Sequence, residues 1–207
     1  MSTAVLPPPV RPMRAPIVQL SPQPVRWTCV EFHNMGDRGM FEHRRVFLID
    51  GELFEMPSPN PPHSTAKALV EETLRAAFGV GFLIRTENPL VLGRSTDPVP
   101  DLAVVTGSVR DYARSHPTTA VLVVEVADSS LGYDLGDKAS LYAAAGIADY
   151  WVVDLVNRQV VVMRNPVVDA TRKHGYGYST VTNHAVGQGV SPLAAPAAVV
   201  AVADVMP

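Results

Sequence analysis

The chain carries a single cysteine, Cys29, so it cannot close an internal disulfide, and its histidines are scattered rather than clustered as a structural zinc site requires. It has no apolar run approaching the roughly eighteen residues needed to span a bilayer. The opening Met1-Ser2-Thr3-Ala4-Val5-Leu6, followed by three prolines, lacks the basic-then-apolar order of a secretory signal. A cytoplasmic protein with no membrane partner is therefore expected. Blocks of lysine or arginine are missing too, and 17 basic against 20 acidic residues leave a formal charge of −3. A protein that grips long duplex DNA through its surface charge is usually more basic, so nucleic-acid contact should be local or shared by an oligomer. Arg85, Arg94, Arg110 and Arg114 are the basic groups available to stand beside an acidic site in mid-chain. No Gly-Lys-Ser/Thr junction marks a phosphate loop, and no nucleophile elbow is present.

What is present fits one folded domain. Residues 1–26 hold most of the early prolines without periodicity and read as an extended or disordered arm, leaving 27–207 as the domain. Val46 to Ile49, then Asp50-Gly51, then Glu52 to Met56 spells a β-hairpin with a primed turn. Ala66, Leu69, Val70, Leu74, Ala77 and Phe78 recur at helical spacing, which predicts a helix over 63–78 closed by Gly79. Short strands are expected at 82–84, 90–92 and 102–105, and a strand covered on both faces at 120–126. A helix over 134–145 follows, with Asp134 as N-cap and Gly146 as its stop. Strands at 150–154 and 159–163 are joined by a turn at 155–158, and further strands lie at 175–181 and 199–202. Tyr150 and Trp151 read as core.

The residues that carry chemistry stand out against this frame. Asp101 opens one apolar strand, and Glu125 interrupts Val121-Leu122-Val123-Val124-Glu125-Val126. Either acid could have a plain structural explanation: Asp101 as a surface residue of a Pro/Gly-rich turn, Glu125 as a buried partner. Two such acids together suggest a shared cation, because burying a carboxylate is costly without a partner and neighbouring carboxylates repel. Magnesium suits the oxygens of Asp101 and Glu125, with the Val126 backbone carbonyl as a further candidate ligand. Lys138 follows Asp134 by four residues, and Tyr142 lies one further turn along, so the three share a helix face. Lys138 would orient or help deprotonate an attacking water; alone it would read as a solvated helix residue. Glu52 on the hairpin and His63 at a helix start are accessory candidates. The helix dipole would favour a neutral His63.

In their order, Leu48-Ile49-Asp50-Gly51-Glu52-Leu53, Ser58-Pro59 with His63, Pro100-Asp101-Leu102, Val124-Glu125-Val126, Asp134…Lys138…Tyr142 and Tyr150-Trp151-Val152-Val153-Asp154 resemble the Uma-type restriction endonucleases of the PD-(D/E)XK nuclease superfamily. The resemblance implies an α/β (α+β mixed) restriction-endonuclease-like core, a mixed central β-sheet flanked by helices. It implies Mg2+ or Mn2+ dependence, phosphodiester hydrolysis in nucleic acid, chiefly DNA, and a homodimer. It makes Asp101 and Glu125 the metal carboxylates. The superfamily's usual lysine position, two residues after the glutamate, holds Ala127, so Lys138 stands for a lysine that has migrated onto the helix. Phe47 occupies a place where relatives carry a glutamate, which leaves a second metal to Glu52 or Asp134. A noncatalytic binding module that keeps the fold, and a nuclease acting on RNA, are the competing expectations.

Overall fold

A computed structural model describes residues 22–207. The expected arm over 1–26 lies outside the described residues except for 22–26, which are irregular. The hairpin forms as its sequence dictates: β1 (Val46–Ile49) pairs antiparallel with β2 (Glu52–Glu55). Asp50 and Gly51 take φ of 51° and 77°, the left-handed pair of a type I′ turn. A Cβ on Gly51 would sit 2.8 Å from Arg26 Cβ, so glycine is required twice over. Ahead of the hairpin lies a helix the hydrophobic pattern did not predict, α1 (Cys29–Asp37), started by a capping box in which Thr28 and Glu31 exchange hydrogen bonds.

Helix α2 (Pro61–Phe78) begins two residues before the expected start, because Asn60 caps it by accepting from the His63 N–H and proline is tolerated in the first turn. Its buried stripe is Ala66, Val70, Leu74 and Phe78. Beyond it, β3 (Phe82–Thr86), β4 (Leu102–Thr106), β5 (Leu122–Ala127), β6 (Asp149–Asp154), β7 (Gln159–Val168) and β8 (Tyr176–Ala185) form one sheet in chain order. All pairs are antiparallel except β5–β6. The fold is thus a mixed α/β one, with a mostly antiparallel sheet flanked by helices. Residues 90–92 are not a strand: Leu90, Val91 and Leu92 send their N–H groups to Pro98, Pro117 and Thr96, three unrelated partners.

Both sheet faces are covered, as the nearly continuous apolar text of β5 and β6 requires. On one face, Val70 and Leu74 of α2 join Leu122, Val124 and Val126, together with Val202 and Val205 near the C-terminus. On the other, Val123 and Ala127 meet Ala139 and Tyr142. Residue alternation along β5 therefore sends Glu125 toward this second face.

The crossover from β5 to β6 supplies that cover. It consists of α3 (Leu131–Tyr133), a π-helical turn (Asp134–Lys138) and α4 (Ala139–Ala144). Asp134 is therefore not the N-cap. The helix starts a turn earlier, after Ser130, and Asp134 faces inward with 1% exposure. Gly146, at φ 75°, ends the segment as expected: it donates to Ala143 O and Ile147 donates to Tyr142 O, the two bonds of a Schellman motif. Tyr150 and Trp151 are core, as read from the sequence.

Candidate active site

The β4–β5 ladder runs through Leu102↔Val124, Ala103↔Val123 and Val104↔Leu122. Beyond Leu102 and Val124, side chains take over from the ladder. Asp101 N–H donates to Glu125 Oε2 at 3.2 Å, and Val126 N–H donates to Asp101 Oδ2 at 2.8 Å. Two buried carboxylates thus satisfy backbone donors that have no partner in the β4–β5 ladder, which is why both acids are tolerated at the end of apolar strands.

The crossover closes over them. Lys138 Nζ lies 2.9 Å from Glu125 Oε2 and 3.0 Å from Asp134 Oδ1. Tyr142 donates its hydroxyl to Glu125 Oε1 at 2.7 Å. Asp134 receives the Ser130 hydroxyl on its other oxygen, while its carbonyl accepts from Tyr150 Oη and from Ala139 N–H five residues on. That last bond is the π-turn itself, a rare feature concentrated at functional sites. The shared face of Asp134, Lys138 and Tyr142 is as the spacing predicted. From the opposite side, His63 Nε2 stands 3.2 Å from Asp101 Oδ2. Glu52 does not join the group: it is exposed and paired with Arg26 at 2.6 Å.

Charge is unevenly shared. Burial pushes the Glu125 carboxyl up to about 8; Lys138 opposes that rise, and Asp101 and Asp134 add to it. Burial also works against the Lys138 ammonium, but Glu125 and Asp134 outweigh it and leave its pKa raised. Lys138 is thus the member that stays charged through neutrality, while Glu125 is the one that yields. Burial would raise Asp101, yet the hydrogen bond and charge of His63, with Val126 N–H and Lys138, hold it low. His63 in turn is raised by its bond to Asp101, the reverse of the direction expected from its place at a helix start.

Asp101, Val126, His63 and Lys138 open onto one cleft of about 400 Å3. Its other walls come from the hairpin, where Phe47 and Phe54 stack with centroids 5.5 Å apart, and from the turn that caps α2, where Asn60 Nδ2 holds Asp128 at 2.5 Å. Glu87, in the wall, binds Arg45 at 2.6 Å and Lys67 at 2.7 Å. Sequence reasoning missed Glu87, Arg45 and Lys67, although Lys67 follows His63 by one helical turn and shares its face. Arg85, Arg94, Arg110 and Arg114 lie outside the cleft wall.

All donors converging here are oxygens or nitrogens of hard type, and Asp101 Oδ1 receives no hydrogen bond from the described residues. A hard divalent ion fits such a set. Among the described residues no group of three or more His, Cys, Asp or Glu side chains has metal-holding geometry.

This mixed α/β fold, a mostly antiparallel sheet flanked by helices with an N-terminal hairpin, is consistent with a restriction-endonuclease-like core. The chain belongs to the Uma2 family, described as "Putative restriction endonuclease", whose model matches residues 30–198. It is similar in fold to a crystal structure described as "a putative nuclease belonging to DUF820 from Anabaena variabilis ATCC 29413", with a TM-score of 0.57 at 14% identity over 77% of this chain and 88% of that one. No curated protein matches it. No helix among the described residues is long and apolar enough to cross a membrane.

Proposed function

We propose that this protein is a metal-dependent endonuclease that hydrolyses phosphodiester bonds in DNA. The observation that carries the reading is the meeting of Asp101, Glu125 and Lys138, which come from three different elements, around Glu125 Oε2. Asp101 and Glu125 would hold Mg2+ or Mn2+, with the Val126 carbonyl as a further ligand. When bound, the ion supplies polarisation of the phosphoryl oxygen and a water of lowered pKa.

The chain's own groups do the rest. Asp101 lines the cleft while His63 and Val126 N–H fix its Oδ2. Tyr142 fixes the rotamer of Glu125 and, by donating to it, favours the ionised form a ligand needs. Lys138 remains an ammonium, so its role is to orient the attacking water by hydrogen bonding and to offset charge on the pentavalent phosphorus, not to act as a base. Asp134 positions Lys138 from one helical turn away. A homodimer in the cytoplasm belongs to the same reading.

A noncatalytic nucleic-acid-binding or protein-binding module is the second reading, favoured by one observation: both Glu125 oxygens are already engaged and the side chain is 1% exposed. Cleavage of supercoiled, linear and single-stranded DNA and of RNA, with Mg2+ or Mn2+ against chelator, separates the two. Metal-dependent cutting that Lys138→Ala abolishes supports the endonuclease. No cutting of any substrate, or cutting unchanged in the variant, favours the binding module.

A further inference from the structure

The cleft beside Asp101 and Lys138 offers little to a sugar-phosphate backbone. Its cationic side chains of constant charge are Arg45 and Lys138, and both are taken: Arg45 by Glu87 at 2.6 Å, Lys138 by Glu125 at 2.9 Å. Asp128 adds further negative charge to the wall, where Glu55 is itself paired with Arg44 at 2.7 Å. A duplex-gripping surface gains its affinity by neutralising several phosphates with lysine and arginine. This cleft is not such a surface.

What the walls supply is apolar and aromatic. Phe47 lies in the floor, nearly buried, with Phe54 stacked on it at an interplanar angle of 23° and more exposed than its partner. Met56 continues the hairpin wall, and Tyr133, 37% exposed, lines the cleft from the helix side. The volume of about 400 Å3 falls within the range of pockets that enclose a small organic group. An aromatic wall of this size directly beside the acids matches the part of a nucleotide adjoining its phosphate.

We propose that the cleft receives one unstacked nucleobase of a single-stranded nucleic acid, held against Phe54 and Tyr133. The inference deepens the phosphodiesterase reading, on which it rests for the position of the phosphate. Bases in a duplex are stacked and paired and would have to be extruded at a cost, whereas an unpaired strand offers its base faces at once. Stacking is indifferent to base identity, since every base has a π-face, so the site selects for an unpaired base and not for a sequence. Affinity drawn from a base also explains how a protein of net charge −3 could engage nucleic acid at all.

The test is equilibrium binding in chelator, where no cutting occurs, of a short DNA strand in which one 2-aminopurine is the only base and every other position is abasic, beside a fully paired duplex carrying the same 2-aminopurine. The expected results are a change in 2-aminopurine fluorescence, weak salt dependence, a much weaker interaction with the matched duplex, and about tenfold loss of affinity when that nucleotide is made abasic. Phe54→Ala should lose the fluorescence change while Phe54→Tyr keeps it, with circular dichroism melts confirming that both are folded. A single-stranded RNA with the same dependence on Phe54 also supports the site, since the base is the common ligand. Equal binding of duplex and single strand, indifference to the abasic substitution, or no binding of any strand overturns it. The base signature without metal-dependent cutting would sink the endonuclease and leave this site standing; cutting without the base signature would do the reverse.

Discussion

Asp101 and Glu125 are joined through the main chain of one and the side chain of the other: Asp101 N–H donates to Glu125 Oε2 at 3.2 Å. Asp101 answers by accepting from Val126 N–H at 2.8 Å, so the carboxylates and the two strands that bear them form one hydrogen-bonded unit. Neither acid can be altered without the other responding, and the variants below are chosen with that coupling in view.

Replacing Lys138 by methionine keeps most of the stem's packing and removes the charge between Glu125 and Asp134, which are each 1% exposed. Breaking a buried pair in this way costs about 3–5 kcal/mol. The loss should be largest above pH 8 and smaller near pH 5, where Glu125 already holds its proton. Urea denaturation at both pH values, beside the plasmid-cleavage assay, checks the stability and the activity together.

Glu125→Gln should flatten the pH dependence of metal-free stability. The folded protein holds a proton on Glu125 up to about 8, whereas the unfolded chain releases it near 4.5. Between those values the folded state binds more protons, so wild-type stability falls as pH rises across the window and levels off above it. The amide can still donate to Tyr142 Oη and accept from Asp101 N–H and Lys138. At pH 8 the variant is expected to be at least as stable as wild type, and to lose most of its Mg2+ affinity by calorimetry. A large loss of metal-free stability would make Glu125 a structural partner.

Tyr142→Phe removes a buried donor 2.7 Å from Glu125 Oε1 and leaves that oxygen unsatisfied. A cost of about 1–3 kcal/mol follows. Because the hydroxyl lowers the Glu125 pKa, its removal should carry the falling part of the stability–pH curve to higher pH. Thermal melts across a pH series read both effects.

Gly51→Ala tests the hairpin wall without touching the acids. The residue sits at φ 77°, and the added Cβ would approach Arg26 Cβ to 2.8 Å and Trp27 N and O to 3.0 Å. The left-handed conformation alone costs about 1–2 kcal/mol for an L residue. A lower melting temperature is expected, together with a weaker 2-aminopurine signal as Phe54 shifts, while Mg2+ affinity is unchanged.

Much of this arrangement was legible because its signals are periodic or local. The Asp50-Gly51 turn, the α2 stripe, the apolar text of β5 broken by Glu125, and the spacing of Asp134, Lys138 and Tyr142 each follow from repeat geometry, and each is where the sequence pattern puts it. Helix α1 escaped because its buried side is only Cys29 and Phe32, though Thr28-x-x-Glu31 was available as a capping signal. Residues 90–92 misled because an apolar triplet says nothing about where its backbone bonds go. The inward Asp134 was invisible since a π-turn is defined by one long-reaching hydrogen bond and not by composition. The Glu87–Arg45–Lys67 group depends on contacts 20 or more residues apart, beyond any local rule.

The single parallel pairing, β5 with β6, decides which parts of this protein are free to change length. Neighbouring parallel strands can be linked only by a segment that leaves the sheet and returns, on the order of a dozen residues or more. The stretch from Ala127 to Asp149 is that link, and it carries Lys138 back over Glu125. Shortening it would uncouple the lysine from the acids or unpair the strands, and the β7–β8 turn is tied to the same crossover by Lys173 Nζ to Asp137 at 2.8 Å and by His174 N–H to Ser140 Oγ at 3.0 Å. Sequence drift in such a chain should therefore spare both the length of the crossover and that of the β7–β8 turn that docks on it.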